Sequence, residues 1–147
     1  MEKSAVETFI GNLETAKVDN YSIRYEGGNR FSSSNSDSGR ILLADDHVTI
    51  VEIDNYHAYH DGRFTVRSIP YDNIDNIYAN GLTTKQIVDF LKAEGTWNED
   101  VEKLISGTGG RVVLQPGHGG YGEVQDKDGN PILNTDLPGR VTTGQSV

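Results

Sequence analysis

The order of hydrophobic and polar positions predicts a helix at the start of the chain. Within residues 4–18, "SAVETFIGNLETAKV", apolar side chains recur at intervals of three and four, which places them on one helical face. These residues are Val6, Phe9, Ile10 and Leu13. Ser4 and Glu7 have the spacing of a capping box, so Ser4 is predicted to cap this helix.

A different pattern, typical of strands and turns, follows. Residues 20–26, "NYSIRYE", alternate as in a short strand, whereas residues 27–39 have no period and predict a surface loop. Residues 40–54 predict a strand, a turn and a second strand. Residues 55–69 predict a hairpin with Asp61 and Gly62 at its turn. These segments indicate a small, mainly antiparallel sheet.

The predicted hairpin decides how two histidines are interpreted. A two-residue loop at Asp61 and Gly62 pairs His60 with Arg63 and His57 with Val66. Because side chains alternate between the two faces of a strand, His57 and His60 then point in opposite directions. We therefore expect no metal site and no cofactor at this cluster. A shifted register would bring the two imidazoles together, and that alternative stays open.

A helix is predicted after the sheet. Thr83 and Gln86 have capping-box spacing, and Gly95 is placed to end the helix. The residues expected on its buried side are Ile87, Val88, Phe90 and Leu91.

A second short helix completes a helical pair near residues 83–106. Thr96 with Glu99 is expected to start it and Gly107 to end it. Its apolar stripe is formed by Trp97, Val101, Leu104 and Ile105. The remaining residues of this helix are mostly acidic, which argues against a DNA-recognition helix because such a helix lies beside phosphates.

The last 41 residues, 107–147, differ from the rest because they include ten glycines and three prolines. Strand-like patterns occur only in three short stretches, "RVVLQ" (111–115), "GEVQ" (122–125) and "PIL" (131–133). The apolar residues are too few to offset the conformational entropy of ordering the segment alone. It is therefore disordered, adds strands to its own sheet, or lies on another subunit. We prefer the last interpretation, an extended arm that docks on a neighbour. The expected contact residues are Arg111, Val112, Val113, Leu114, His118, Tyr121, Ile132, Leu133 and Leu137.

Charge narrows the range of partners. The formal net charge is −9, and residues 42–100 contribute −7 of it, from eleven acidic and four basic residues. Phosphate backbones attract clustered Lys and Arg, so nucleic acid is not an expected partner. The chain has no cysteine and no apolar run resembling a signal peptide or membrane span. We expect a protein of the cytoplasm or of an assembled particle, without membrane contact.

Three motifs bear on possible chemistry. "DKDGN" (126–130) begins like a calcium loop, but Pro131 and Leu137 stand where that loop has glycine and glutamate, so a hairpin turn is favoured. "SGTGGR" (106–111) lacks the lysine and the strand of a phosphate-binding loop. "PGHGGYG" (116–122) places His118 and Tyr121 on a glycine framework that suits either a ligand or close packing. No motif for a nucleophilic residue is present.

These patterns predict an α+β protein with a globular domain over residues 1–106 and a C-terminal arm over residues 107–147. The expected function is non-enzymatic: a structural subunit, in a homo- or hetero-oligomer, whose arm docks on neighbours in a larger particle such as a virion. The alternative is a small acidic binding module or inhibitor that captures a protein partner or a small ligand.

Overall fold

The α+β class is confirmed by a computed structural model, which describes residues 1–33, 39–54, 63–105 and 109–134. Three helices occur in this part of the chain: α1 (Lys3–Thr15), α2 (Thr84–Glu94) and α3 (Glu99–Ile105). The strands are β1 (Ser22–Tyr25), β2 (Asn29–Ser32), β3 (Gly39–Leu43), β4 (His47–Asp54), β5 (Arg63–Pro70), β6 (Ile74–Leu82), β7 (Gly110–Leu114), β8 (Glu123–Asp126) and β9 (Pro131–Asn134).

The strands form two antiparallel sheets instead of the single sheet expected around residues 20–78. One sheet has six strands in the order β2-β1-β6-β7-β8-β9, and the other has three in the order β3-β4-β5. Strand β2 lies in the segment predicted to be a loop. That prediction is wrong because Glu26 and Gly27 adopt positive φ in a tight turn, which returns the chain along β1 and buries Phe31 in the core.

The core lies between the helices and one face of the six-stranded sheet. On the helical side, the predicted apolar stripe of α1 and that of α2 are both buried. On the sheet side, Ile77 of β6 and Leu114 of β7 are fully buried and belong to the same cluster as Phe9 and Phe90. The three-stranded sheet adds Val48 to this cluster from its inner face.

The helix starts agree with the sequence in one case out of three. Thr83 and Gln86 form the predicted capping box, and Gly95 ends α2 in the left-handed conformation. Helix α1 begins at Lys3, so Ser4 lies inside it, and the preceding residue makes no side-chain cap. The prediction that Ser4 caps α1 is therefore wrong. The apolar stripe determines the buried face of the helix but not its first residue.

The third helix starts later than predicted. The Asn98 side chain accepts a hydrogen bond from the backbone N–H of Val101 at 2.9 Å, as an N-cap does. Thr96 instead belongs to the end of α2, because its backbone N–H donates to the carbonyl oxygen of Leu91 at 2.9 Å. Leu104, expected in the buried stripe, is 40% exposed.

The register of β4 and β5 overturns the predicted two-residue hairpin. Arg63 pairs with Asp54, and Val66 pairs with Val51, so the connection spans residues 55–62. A turn confined to Asp61 and Gly62 is excluded, since it would place Val66 opposite His57. The physical reason is the alternation within β4, which matches the buried positions of β5 when Val48 lies opposite Ile69. The arrangement of His57 and His60 lies outside the described residues.

The segment predicted to be an extended docking arm supplies strands to this chain's own sheet. Strands β7, β8 and β9 cover the three stretches that have strand-like patterns, and β7 lies between β6 and β8. The preferred interpretation, docking on a neighbour, therefore does not describe residues 110–134. The apolar side chains of the segment are too few to order it alone, but they also pack against apolar surface of β6 and α2. This additional burial is why the segment folds within its own chain. Residues 135–147 lie outside the described residues.

The "DKDGN" motif forms the hairpin turn that the sequence favours over a calcium loop. It connects β8 to β9. Oδ1 of Asp126 accepts hydrogen bonds from the backbone N–H groups of Asp128 and Asn130, both at 2.9 Å. These bonds lower the pKa of Asp126, the contact with Asn130 having the largest effect. Gly129 adopts the positive φ that the turn needs.

Candidate functional site

Three of the predicted contact residues are buried within this chain. Val112 and Leu114 are fully buried and Val113 is 5% exposed. They lie in β7, with a strand on each side. Contact with another subunit through these side chains would require unfolding of the sheet, so they stabilise the core instead of presenting a surface.

The glycine framework around His118 and Tyr121 packs against the chain's own helices. A Cβ atom at Gly120 would lie 2.9 Å from Cβ of Thr8, and the N–H of Gly122 donates to Glu94 at 2.6 Å. The close approach that glycine permits is therefore used for packing on α1 and α2. His118 and Tyr121 are both half-buried. Nδ1 of His118 is buried without a hydrogen-bond partner among the described residues.

Arg111 lines an open cleft of about 460 Å³ at one end of the six-stranded sheet. The cleft is shaped by a bulge in β6, where Gly81 has positive φ. Lys127 and Asp126 also line the cleft. Of the other predicted contact residues, Ile132 is half-buried. The side chain of Leu133 and the whole of Leu137 lie outside the described residues.

A surface that the sequence did not indicate lies on the outer face of the three-stranded sheet. Val66 is 61% exposed and Leu42 is 53% exposed, the highest values for large apolar side chains among the described residues. Val51, opposite Val66 in the register, is only partly covered. Paired residues project from the same face of a sheet, so Val66 and Val51 share this face. Leu42 lies on the same face, diagonal to Val51, with Arg40 and Thr49 as the paired residues between them. The three apolar side chains form one patch. We call it the outer patch.

The outer patch continues to an open strand edge. Strand β5 pairs with β4 on one side, and in the described chain no strand pairs with its other side. Residues 65–68 are all exposed. The backbone N–H and C=O groups that point outward from an edge strand can pair with another chain. The edge and the patch meet at Val66.

Charge around this edge is asymmetric. Arg63 and Arg67 both lie in β5, whereas acidic residues cluster at the turn before β4. There Nδ1 of His47 lies 2.6 Å from Oδ1 of Asp46, and this hydrogen bond lowers the pKa of Asp46. Asp45 forms an ion pair with Lys3 of α1 at 3.2 Å. Strand β5 thus carries basic residues, and β4 beside it carries acidic ones, with Asp54 opposite Arg63.

The sequence contains a signal for this edge that the predicted hairpin obscures. Residues 47–54 and residues 63–70 both alternate, and they have the same length. Pairing them end to end leaves Val66 beside Val51, on the face opposite Val48. The dipeptide Asp61-Gly62 is a stronger local signal for a turn than this alternation. A turn at Asp61-Gly62 pairs Val66 with His57 instead of Val51, which is a register shift of six residues.

Within the described residues, no helix combines the length and the apolar character needed to cross a membrane. No family model matches the chain, and comparisons with curated proteins and with solved structures find no significant relative. Function is therefore inferred from the surfaces of this chain alone.

Proposed function

We propose that the protein is a non-enzymatic assembly subunit, and that it pairs with a second copy of itself through strand β5. The observation that carries this proposal is the open edge of β5, where four consecutive residues are exposed. An exposed edge of this length is a template for strand addition. Residues 135–147 keep the role of a docking arm in this proposal, as a contact beyond the first pair.

Charge favours one register for the pairing. Centring two antiparallel β5 strands on Val66 places each Val66 opposite its counterpart and each Arg67 opposite Thr65 of the second copy. Centring on Arg67 places the two Arg67 residues opposite each other, and centring on Thr65 places Arg63 opposite Arg67. Like charges directly opposite each other destabilise a strand pair. The Val66-centred register also joins the two outer patches into one apolar surface, which its burial would stabilise.

The absence of cysteine from the chain permits a direct test by cross-linking. We expect Val66→Cys to form a disulfide-linked dimer under mild oxidation, because directly opposed residues have Cα atoms about 4.5–5.5 Å apart, within the range for a disulfide. Thr65→Cys is the matched control. In this register the two Thr65 residues are offset by two positions, beyond the roughly 7 Å limit for a disulfide.

Native mass spectrometry of the unmodified chain completes the test. A dimer is expected, and Val66→Lys should convert it to a folded monomer, since Val66 is largely exposed within one copy. A monomer at all concentrations, or equal cross-linking of the Val66→Cys and Thr65→Cys variants, would show that β5 is not the assembly edge.

A further inference from the structure

A polar row crosses the outer face of the six-stranded sheet, opposite the face that carries Ile77 and Leu114. It begins on β2 and β1 and reaches β6. Arg24 of β1 lies directly opposite Arg30 of β2 on one side and opposite Asn76 of β6 on the other. Both arginines are exposed.

Two arginines directly opposite each other on neighbouring strands repel each other, and this is unfavourable unless a negative group lies close to them. In the part of the chain that the structure describes, no carboxylate lies within salt-bridge distance of Arg24 or Arg30. The nearby acidic groups have other partners: Asp75 accepts from the backbone N–H of Gly27 at 2.9 Å, and Glu26 accepts from Asn73 at 3.5 Å. Two positive charges are left facing solvent in a protein of net charge −9.

Polar groups surround this pair. The guanidinium carbon of Arg24 lies 5.6 Å from the centre of the Tyr78 ring. Oγ of Ser22 and Oγ of Ser32 are 2.7 Å apart in the adjacent row. Oδ1 of Asn76 is buried and has no hydrogen-bond partner among the described residues, which is unfavourable. An arrangement with this many unfavourable features is more typical of a binding site than of a structural face.

The ionisation of Tyr78 reflects the same concentration of positive charge. Burial raises its pKa, but hydrogen bonds from Arg24 and Ser22 and the charges of Arg30 and Arg24 lower it, and the net result is a pKa below the ordinary value of 10.0. The positive charge that lowers the pKa of Tyr78 also attracts anions to this face.

We propose that Arg24 and Arg30 bind a phosphate dianion on this face, either as inorganic phosphate or as a phosphomonoester. Two unneutralised guanidinium groups match a charge of −2, and their planar N–H donors match the spacing of phosphate oxygens. The site lies on a different sheet from the β5 edge, so the two proposals stand or fall separately.

Calorimetric titration of the full chain with inorganic phosphate, and separately with O-phosphoserine, tests the proposal. We expect Arg24→Gln and Arg30→Gln each to weaken binding about tenfold or more, since each removes charged hydrogen bonds. Arg40→Gln is the matched control, because it removes the same exposed charge from the other sheet, and it should leave binding unchanged. Tighter binding of O-phosphoserine would identify a phosphomonoester as the preferred form, and tighter binding of inorganic phosphate would identify the free anion.

The pKa of Tyr78 provides a second measurement of phosphate binding that is independent of calorimetry. Phosphate bound to Arg24 should raise the pKa of Tyr78, because it neutralises the charge that lowers it, and tyrosinate absorbance in alkaline titrations should show this. Tyr78→Phe should abolish the phosphate-dependent change. The proposal is overturned if millimolar phosphate does not bind, or if Arg40→Gln weakens binding as much as Arg24→Gln does.

Discussion

Phe9 of α1 and Phe90 of α2 meet edge to face, with ring centres 5.5 Å apart and planes at 72°. Both rings are fully buried, and this geometry is a favourable one for aromatic pairs. Gly122, just before β8, closes over them. A Cβ atom there would lie 2.8 Å from Cε1 of Phe9 and 3.1 Å from Cζ of Phe90. The contact fixes how the glycine-rich loop sits on the two helices.

Gly122→Ala is therefore expected to destabilise the fold. The added methyl group must push apart two tightly packed rings, and such overpacking costs about 1–3 kcal/mol. Urea unfolding followed by tryptophan fluorescence measures the change. Gly11→Ala is the control: Gly11 lies in α1, and a Cβ atom there would have no neighbour within 4 Å, so this variant should gain roughly 0.5–1 kcal/mol from helix propensity. A loss of stability at Gly11 equal to that at Gly122 would contradict the packing explanation.

Thr83 with Gln86 and Ser4 with Glu7 have the same capping-box spacing, but substituting Thr83 and Ser4 is expected to change stability by different amounts. The Thr83 hydroxyl accepts from the backbone N–H of Gln86 at 3.2 Å, and the Gln86 side chain accepts from the N–H of Thr83 at 3.0 Å. Thr83→Ala should therefore lower the free energy of unfolding by about 1 kcal/mol. Ser4→Ala should change it by less than about 0.5 kcal/mol, because Ser4 is an exposed position inside α1. If the two variants lose equal free energy of unfolding, Ser4 does cap α1.

The elements that the sequence predicts well are those in which a local pattern determines the outcome. The apolar stripe of α2 and its Gly95 stop are examples, since both depend on residues within one or two turns. Strand pairing depends on residues far apart in the chain. Asp61 and Gly62 favour a tight turn locally, but burial of Ile69 opposite Val48 determines the register.

The candidate surfaces could not be predicted for a related reason. Val66 has the character of a core residue in the sequence, and its place on the outer face of the three-stranded sheet makes it exposed, whereas Ile69 of the same strand is buried on the inner face. Arg24 and Arg30 are six positions apart on either side of a glycine turn, Arg24 in a segment that predicts a short strand and Arg30 in a segment that has no period. Their opposition appears only when β2 pairs with β1. Val113 and Leu114 show the reverse case, because a neighbouring strand on each side gives them the burial that their own segment lacks.

Alkaline pH is expected to destabilise the protein through Tyr21. Burial raises the pKa of Tyr21 to about 12 in the folded state, against 10.0 for an ordinary tyrosine. Because the folded pKa is the higher one, the stabilising contribution is complete below pH 10 and is lost as the pH rises toward 12. The urea midpoint should therefore fall more steeply with pH in the unmodified chain than in Tyr21→Phe.

Tyr78 provides the control for that measurement. Its pKa is shifted in the opposite direction, so its ionisation does not contribute to the alkaline loss. Tyr78→Phe should keep the steep fall above pH 10. If Tyr21→Phe loses stability over the same pH range as steeply as the unmodified chain, the alkaline transition arises from another group.

Removing residues 107–147 should unfold the protein instead of releasing a folded monomer. Strand β7 lies between β6 and β8, and its loss exposes Ile77 and Phe90, which are otherwise fully buried. Fully burying one such side chain contributes about 1.5–3 kcal/mol, and the removed segment itself contains four buried apolar residues, Val112, Val113, Leu114 and Val124. The summed loss is comparable with the roughly 5–15 kcal/mol by which a typical domain is stable. A chain ending at Asn134 keeps every described strand and should give the circular dichroism spectrum and cooperative thermal transition of the full chain. If the chain ending at Ser106 folds cooperatively as a monomer, residues 110–134 are dispensable for folding, and the docking-arm interpretation returns for the whole segment.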